Sequence, residues 1–264
     1  MATPAQPIVE LRDVGVSYLQ RTGLLRYRRF WALEQISLDL YAGETLGIIG
    51  ANGAGKSTLL RLLARITMPD RGEMRWCRPV SSSLLALNAG FRPELSGRDN
   101  AMVGGMLLGL SRSRITAKLP EIREFSELGS FFDSPAGTYS AGMRARLGFA
   151  VAIHADNDIM LIDEVLGVGD EKFRLKSNHA MRDKIRSNKT VVLVSHSMEA
   201  IRDLCDRVIW IEKGRSVRSG TAHEVIDGYR EAMRHAVSPA IHEKNRLETH
   251  GVVASSVKQG SPAP

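Results

Sequence analysis

Short apolar runs alternate with longer amphipathic stretches along this chain, the rhythm of strands interleaved with helices. Residues 8–11 and 14–18 read as a short strand pair, and residues 19–30 break the pattern as a basic loop or short helix. From Ala32 to Leu40 polar and apolar positions alternate through Ile36, Leu38 and Leu40, as in a half-exposed strand. Residues 44–49 form an apolar run fit for a buried strand, and residues 56–66 have helical spacing. A middle region from about Asn100 to His154 is helical in character. Residues 158–164 form an apolar strand that ends in two carboxylates, and residues 190–194 a second buried strand that ends at Ser195 and His196. Residues 197–206 read as a helix, and a Lys213-Gly214 turn joins residues 207–212 to 215–218 as a hairpin. Thr221 and Glu224 have capping-box spacing and open a last helix through Met233. Beyond His235 the apolar periodicity stops, so residues 235–264 are expected to be a disordered tail.

The turn between the 44–49 strand and the 56–66 helix carries Gly50, Ala51, Asn52, Gly53, Ala54, Gly55, Lys56, Ser57 and Thr58. This is the pattern G-x-x-x-x-G-K-[ST], and its strand–loop–helix setting is the one a phosphate-binding loop requires. Glycines let the backbone bring its N–H groups against phosphate oxygens. Lys56 then supplies positive charge to the β- and γ-phosphates, and the Ser57 hydroxyl completes a Mg²⁺ coordination sphere. The expected ligands are therefore ATP and Mg²⁺. Asp163 closes an apolar strand, as a second metal-holding carboxylate should, and Glu164 beside it is the candidate that polarises the attacking water. In a doubly wound sheet the carboxyl ends of parallel strands meet at one crevice, which raises His196 above a merely structural histidine.

Composition narrows the setting. The hydrophobic share of 43% and charged share of 25% are ordinary for a globular chain, and no apolar run reaches the ~18–20 residues that span a bilayer. The net charge of +7 is spread along the chain rather than gathered into an aromatic-interleaved stripe, so nucleic acid is not expected as a partner. Two distant cysteines, Cys77 and Cys205, read as reduced packing residues of a cytosolic protein.

The order GANGAGKST, TYSAGMRARLGFAVA, IMLIDEVLGVGD, VSHS resembles the ATP-binding subunit of an ABC transporter over residues 7–234. The resemblance implies an α/β P-loop NTPase with a mainly parallel sheet, an N-terminal antiparallel β subdomain and a helical subdomain of about residues 88–155. It also implies that Ser140, Ala141 and Gly142 contact the γ-phosphate as the signature, that Asp170 is the D-loop aspartate, that His196 is the switch histidine and that Tyr18 stacks on adenine. The stretches LNAGFRPELSGRDN and DEVLGVGDEKFRLK are similar to the polysaccharide-exporting ATPases of the ABC-2 type, which move O-antigen, capsule and teichoic acid. The usual Q-loop glutamine is replaced by Leu87, with Asn88 and Glu94 as candidate substitutes, and the signature ends in Met143. The implied assembly is a head-to-tail homodimer on a separate integral-membrane permease, at the cytoplasmic face of the inner membrane, with the polysaccharide handled mainly by the permease. The arginine- and aromatic-rich segment from Leu24 to Trp31 is a candidate contact with permease, lipid headgroups or glycan, or else a solvated loop. Export of a small molecule or lipo-oligosaccharide, and a soluble non-transport ABC ATPase, are the alternative functions.

Overall fold

Two long antiparallel strands open the chain in the computed structural model, which describes residues 6–23, 26–85, 90–163, 170–187 and 189–234. Strand β1 (Pro7–Arg21) pairs with β2 (Tyr27–Tyr41) almost end to end. The two short strands expected at 8–11 and 14–18 are thus one strand. Asp13 sits in the left-handed region at φ 49° and absorbs a register shift, while its N–H donates to Ser37 Oγ at 2.9 Å. A short polar residue tolerates that conformation, so the strand bulges there instead of ending. The loop or short helix expected at 19–30 is likewise the tip of this hairpin. Its described residues are exposed on both faces, and no periodicity marks it as a strand. Leu24 lies outside the described residues.

Strand β3 (Thr45–Ile49) is buried throughout and leads through the glycine-rich loop into α1 (Lys56–Leu63). The helix stops short of residue 66 because Arg65 turns into the left-handed region at φ 58°. Two strands then follow that hydrophobic pattern did not reveal: β4 (Arg71–Trp76), a mostly exposed edge strand, and β5 (Ser82–Leu84), only three residues long. Helices α2 (Gly97–Leu107), α3 (Arg112–Ser126) and α4 (Ala141–His154) come next, with two short 3₁₀ turns between α3 and α4. They are followed by β6 (Ile159–Asp163), α5 (Glu171–Ile185), β7 (Thr190–Val194), α6 (Met198–Leu204), β8 (Arg207–Glu212), β9 (Arg215–Thr221) and a final helix α7 over 222–234. The capping box is formed as expected: Thr221 N–H donates to Glu224 Oε2, and Glu224 N–H to Thr221 Oγ1. The expected tail, 235–264, lies outside the described residues.

The nine described strands form one sheet in the order β4-β1-β2-β9-β8-β3-β7-β6-β5. The run from β8 to β5 is parallel, β9 is antiparallel to β8, and β1, β2 and β4 are antiparallel to one another. This is the predicted mainly parallel α/β sheet with an N-terminal antiparallel block. The two blocks meet where Gly214 O accepts from Glu34 and Gln35 N–H at 2.7 and 3.1 Å.

Alternation along the central strands divides the core. Leu46, Ile48, Leu161, Val192 and Val194 face α1 (Leu59, Leu60 and Leu63). Met160, Ile162, Val191 and Leu193 face Phe173 and Met181 of α5, Ile201 of α6 and Val225 of α7. Burial on both faces is why these strands read as unbroken apolar runs. A third cluster, including Ala101, Ile115, Ile122, Phe132 and Leu147, holds α2, α3 and α4 to each other. Phe125 joins it to the sheet, stacking on Phe149 at 5.9 Å and meeting Phe173 edge-on at 5.8 Å. Cys205 is a packing residue, as expected, with its thiol pushed up to about 12 by burial. Cys77, by contrast, is exposed just past the end of β4.

Candidate nucleotide site

The loop after β3 is pinned from behind by its neighbours. Gly214 N–H donates to Ala54 O at 3.0 Å, and Ala54 is buried. Gly50 has φ +151°, and a Cβ there would overlap the carbonyl oxygen of Ile211 on β8. Gly55, at φ +108°, lies against the Ala32 carbonyl of β2 and caps α1 without a side chain. With no side chain spent on capping, the first-turn N–H groups of α1 are free to meet an anion. A Gly50→Ala chain should therefore lose about 2–4 kcal/mol of stability, from backbone strain and a displaced β8. Thermal or urea unfolding measures this, and an unchanged melting temperature would contradict the tight fit at Ile211.

Lys56 folds over the loop. Its Nζ donates to Gly50 O at 2.9 Å and to Ala51 O at 3.0 Å, and the residue is only 8% exposed. Burial pushes its pKa below the ordinary lysine value, while the negative charge of Asp163 opposes that shift. A poorly hydrated ammonium held in this way has much to gain from phosphate oxygens.

In front of the loop lies a cleft of about 420 Å³. Asn52, Gly53, Gly55, Lys56, Ser57 and Thr58 form its floor, Asp163 enters from the end of β6, and Val194 and His196 come from the end of β7. Tyr18, Phe30 and Ala32 close it from the β1–β2 hairpin. The carboxyl ends of parallel strands thus converge with the loop, as a doubly wound sheet requires. Lys56, Ser57, Asp163, His196 and Tyr18 are brought together from four separate segments. Phe30 is a lining residue that the sequence reading missed. Its signal was its position opposite Tyr18, which is visible only once residues 19–30 are seen as a hairpin.

Other expected site residues stand elsewhere. Ser140 is the N-cap of α4, its Oγ accepting from Met143 N–H at 3.1 Å, and Ser140, Ala141 and Gly142 are exposed rather than lining the cleft. Below them Tyr139 is buried, its hydroxyl donating to Phe131 O at 2.5 Å, which fixes the start of the helix. Asp170 is the exposed N-cap of α5 and accepts from Phe173 N–H at 2.9 Å. Glu94 is exposed in the turn before α2, a turn held by the buried Asn100 through Arg92, Leu95 and Ser96 backbone groups. Glu164, Leu87 and Asn88 lie outside the described residues.

A glycine-rich loop wrapped around a buried lysine, at the carboxyl edge of a parallel sheet with a helical layer beside it, defines a P-loop ATPase cassette. The family model for the ABC transporter matches residues 33–167. The O-antigen export system ATP-binding protein RfbB of Klebsiella pneumoniae is 44% identical over 210 residues, covering 80% of this chain and 85% of that protein. RfbB of Myxococcus xanthus is 44% identical over 243 residues, and the teichoic acids export ATP-binding protein TagH of Enterococcus faecalis 44% over 201. Those matches cover 84% and 76% of this chain but only 55% and 44% of the relatives, so the chain spans about half the length of those two proteins. Among solved structures, the dimeric ATP-binding cassette MJ0796 bound to ADP and Pi superposes with a TM-score of 0.65 at 22% identity. That match covers 81% of this chain and 98% of the other, and it speaks for the fold alone. The chain belongs to the ABC transporter family, as one of its ATP-binding cassettes.

Proposed function

We propose that this chain is the ATPase subunit that powers export of a lipid-linked cell-surface polysaccharide through a separate membrane permease. One observation carries the assembly. The cleft gathers Lys56, Ser57, Asp163 and His196 around the glycine-rich loop, while the exposed signature residues Ser140, Ala141 and Gly142 are not among the residues that line it and stand at the head of α4. One loop and one signature per chain are completed by two chains set head to tail, each lending its α4 N-terminus to the other's γ-phosphate. Asp170, at the head of α5, belongs to the same contact between copies.

Within the cleft, Tyr18 stacks on the adenine, the loop N–H groups and Lys56 bind the phosphates, and His196 contacts the γ-phosphate. The hydroxyl of Ser57 and the carboxylate of Asp163 are hard oxygen donors lining one cleft, the donor set that suits Mg²⁺ beside a triphosphate. When bound, that ion neutralises phosphate charge. Glu164 polarises the attacking water. ATP closes the pair and hydrolysis reopens it, and the motion passes to the permease. Among the described residues no helix is long and apolar enough to cross a membrane. In this reading a separate permease forms the channel and the chain acts on it from the cytoplasmic face. The names of the relatives support polysaccharide as the cargo.

Deleting the gene should leave lipid-linked polymer inside the cell and strip it from the surface, measured by glycan blotting of whole cells and inner membranes. A surface glycan at the parental level would overturn the export reading.

A further inference from the structure

The β1–β2 hairpin carries an aromatic residue into the nucleotide cleft that the family signature does not account for. Tyr18 and Phe30 are directly opposed in the β1–β2 register, so their side chains leave the ribbon on the same face. That face is the one turned to the cleft, since both residues line it together with Lys56 and Asp163. The next pair, Ser17 and Trp31, points to the opposite face, where Trp31 is covered by the Arg71 guanidinium at 4.5 Å. Among the described residues, the register therefore separates a ring covered by a guanidinium from two rings without such cover. Tyr18 is 38% exposed and Phe30 53% exposed, although both stand in a concave site beside a triphosphate loop.

We infer that Phe30 is a base-binding residue in its own right, forming with Tyr18 a two-ring ledge that holds the planar base of the bound nucleoside triphosphate. This rests on the ATP-binding function proposed above. The chemistry fits the place. A base offers two π-faces and an apolar edge, and opposed rings on one ribbon face give it a broad stacking surface while the phosphates run to Lys56. The hairpin itself is stiffened by its ladder and by the Trp31–Arg71 contact behind it, so the ledge is formed before the nucleotide arrives.

Titration of the full chain with Mg-ATP and with Mg-tripolyphosphate, which lacks a base, tests this. Phe30→Ala should raise the Kd for ATP about tenfold, the effect of losing one base–aromatic contact, and leave tripolyphosphate binding within about twofold. Phe30→Tyr should restore ATP affinity and Phe30→Leu should not, because stacking needs a ring rather than bulk. An ATP affinity unchanged in Phe30→Ala would overturn the inference, and so would equal weakening of both ligands. A wild-type chain that binds tripolyphosphate but gains nothing from the nucleoside would overturn the ledge and leave the phosphate loop standing. Failure of the wild-type chain to bind either ligand would remove the ATP reading itself.

Discussion

Replacing Lys56 by alanine should reduce ATP turnover by at least about a hundred- to a thousandfold, the loss expected when a preorganised charge facing the transferred phosphate is removed. The geometry supports a large effect. The ammonium is buried, held at 2.9 and 3.0 Å by Gly50 and Ala51 carbonyls, and faces a cleft that also receives Asp163. Removing it takes away the positive charge nearest the loop and leaves two carbonyl oxygens short of a donor, at a cost of about 1–3 kcal/mol each if water cannot replace it. A melting curve must accompany the assay, to separate a chemical defect from a collapsed loop. Lys56→Arg helps here. It keeps the charge and the donors but replaces a compact ammonium by a planar fork that cannot reproduce its contacts, so turnover should remain low while more of the stability returns. Turnover at the wild-type rate in Lys56→Ala would sink the assignment of this loop as the phosphate site.

How far the sequence could be read depended on which physical signal each segment carried. The parallel core was legible because Thr45–Ile49, residues 159–162 and Thr190–Val194 are buried on both faces and write themselves as apolar runs. The loop was legible because phosphate binding by backbone N–H groups demands glycines at fixed spacing. The hairpin from Tyr18 to Trp31 was not, since exposed strands need no hydrophobic alternation. Missing it hid Phe30, whose place in the cleft lining follows from a cross-strand register rather than from its own neighbours along the chain. β4 and β5 escaped for related reasons: one is an arginine-rich edge strand and the other spans three residues. The exposed placement of Ser140 to Gly142 could not be derived from pattern at all. It follows from how α4 packs through Leu147 and Phe149 on layers far apart in sequence.

Glu164→Gln should bind ATP at close to wild-type affinity, lower hydrolysis by about a hundred- to ten-thousandfold and accumulate a dimer in the presence of ATP. The magnitude is that of removing a general base, with the amide keeping size and hydrogen bonding but not the charge. Glu164 follows Asp163 directly, and Asp163 lines the cleft. Size-exclusion chromatography with and without ATP reads the dimer, and a monomer with normal turnover would remove Glu164 from the mechanism. A second substitution locates the contact. A Cβ on Gly142 meets only Ser140 Oγ, at 3.8 Å, so Gly142→Asp fits without disturbing α4. An acid in the first turn even favours the helix itself, because it complements the positive end of the dipole. Set against a γ-phosphate on a partner chain, the same carboxylate repels. Glu164→Gln with Gly142→Asp should therefore melt no lower than Glu164→Gln alone, still bind ATP and yet run as a monomer. If it dimerised as before, the signature at the head of α4 would not be the surface that closes the second half of the site.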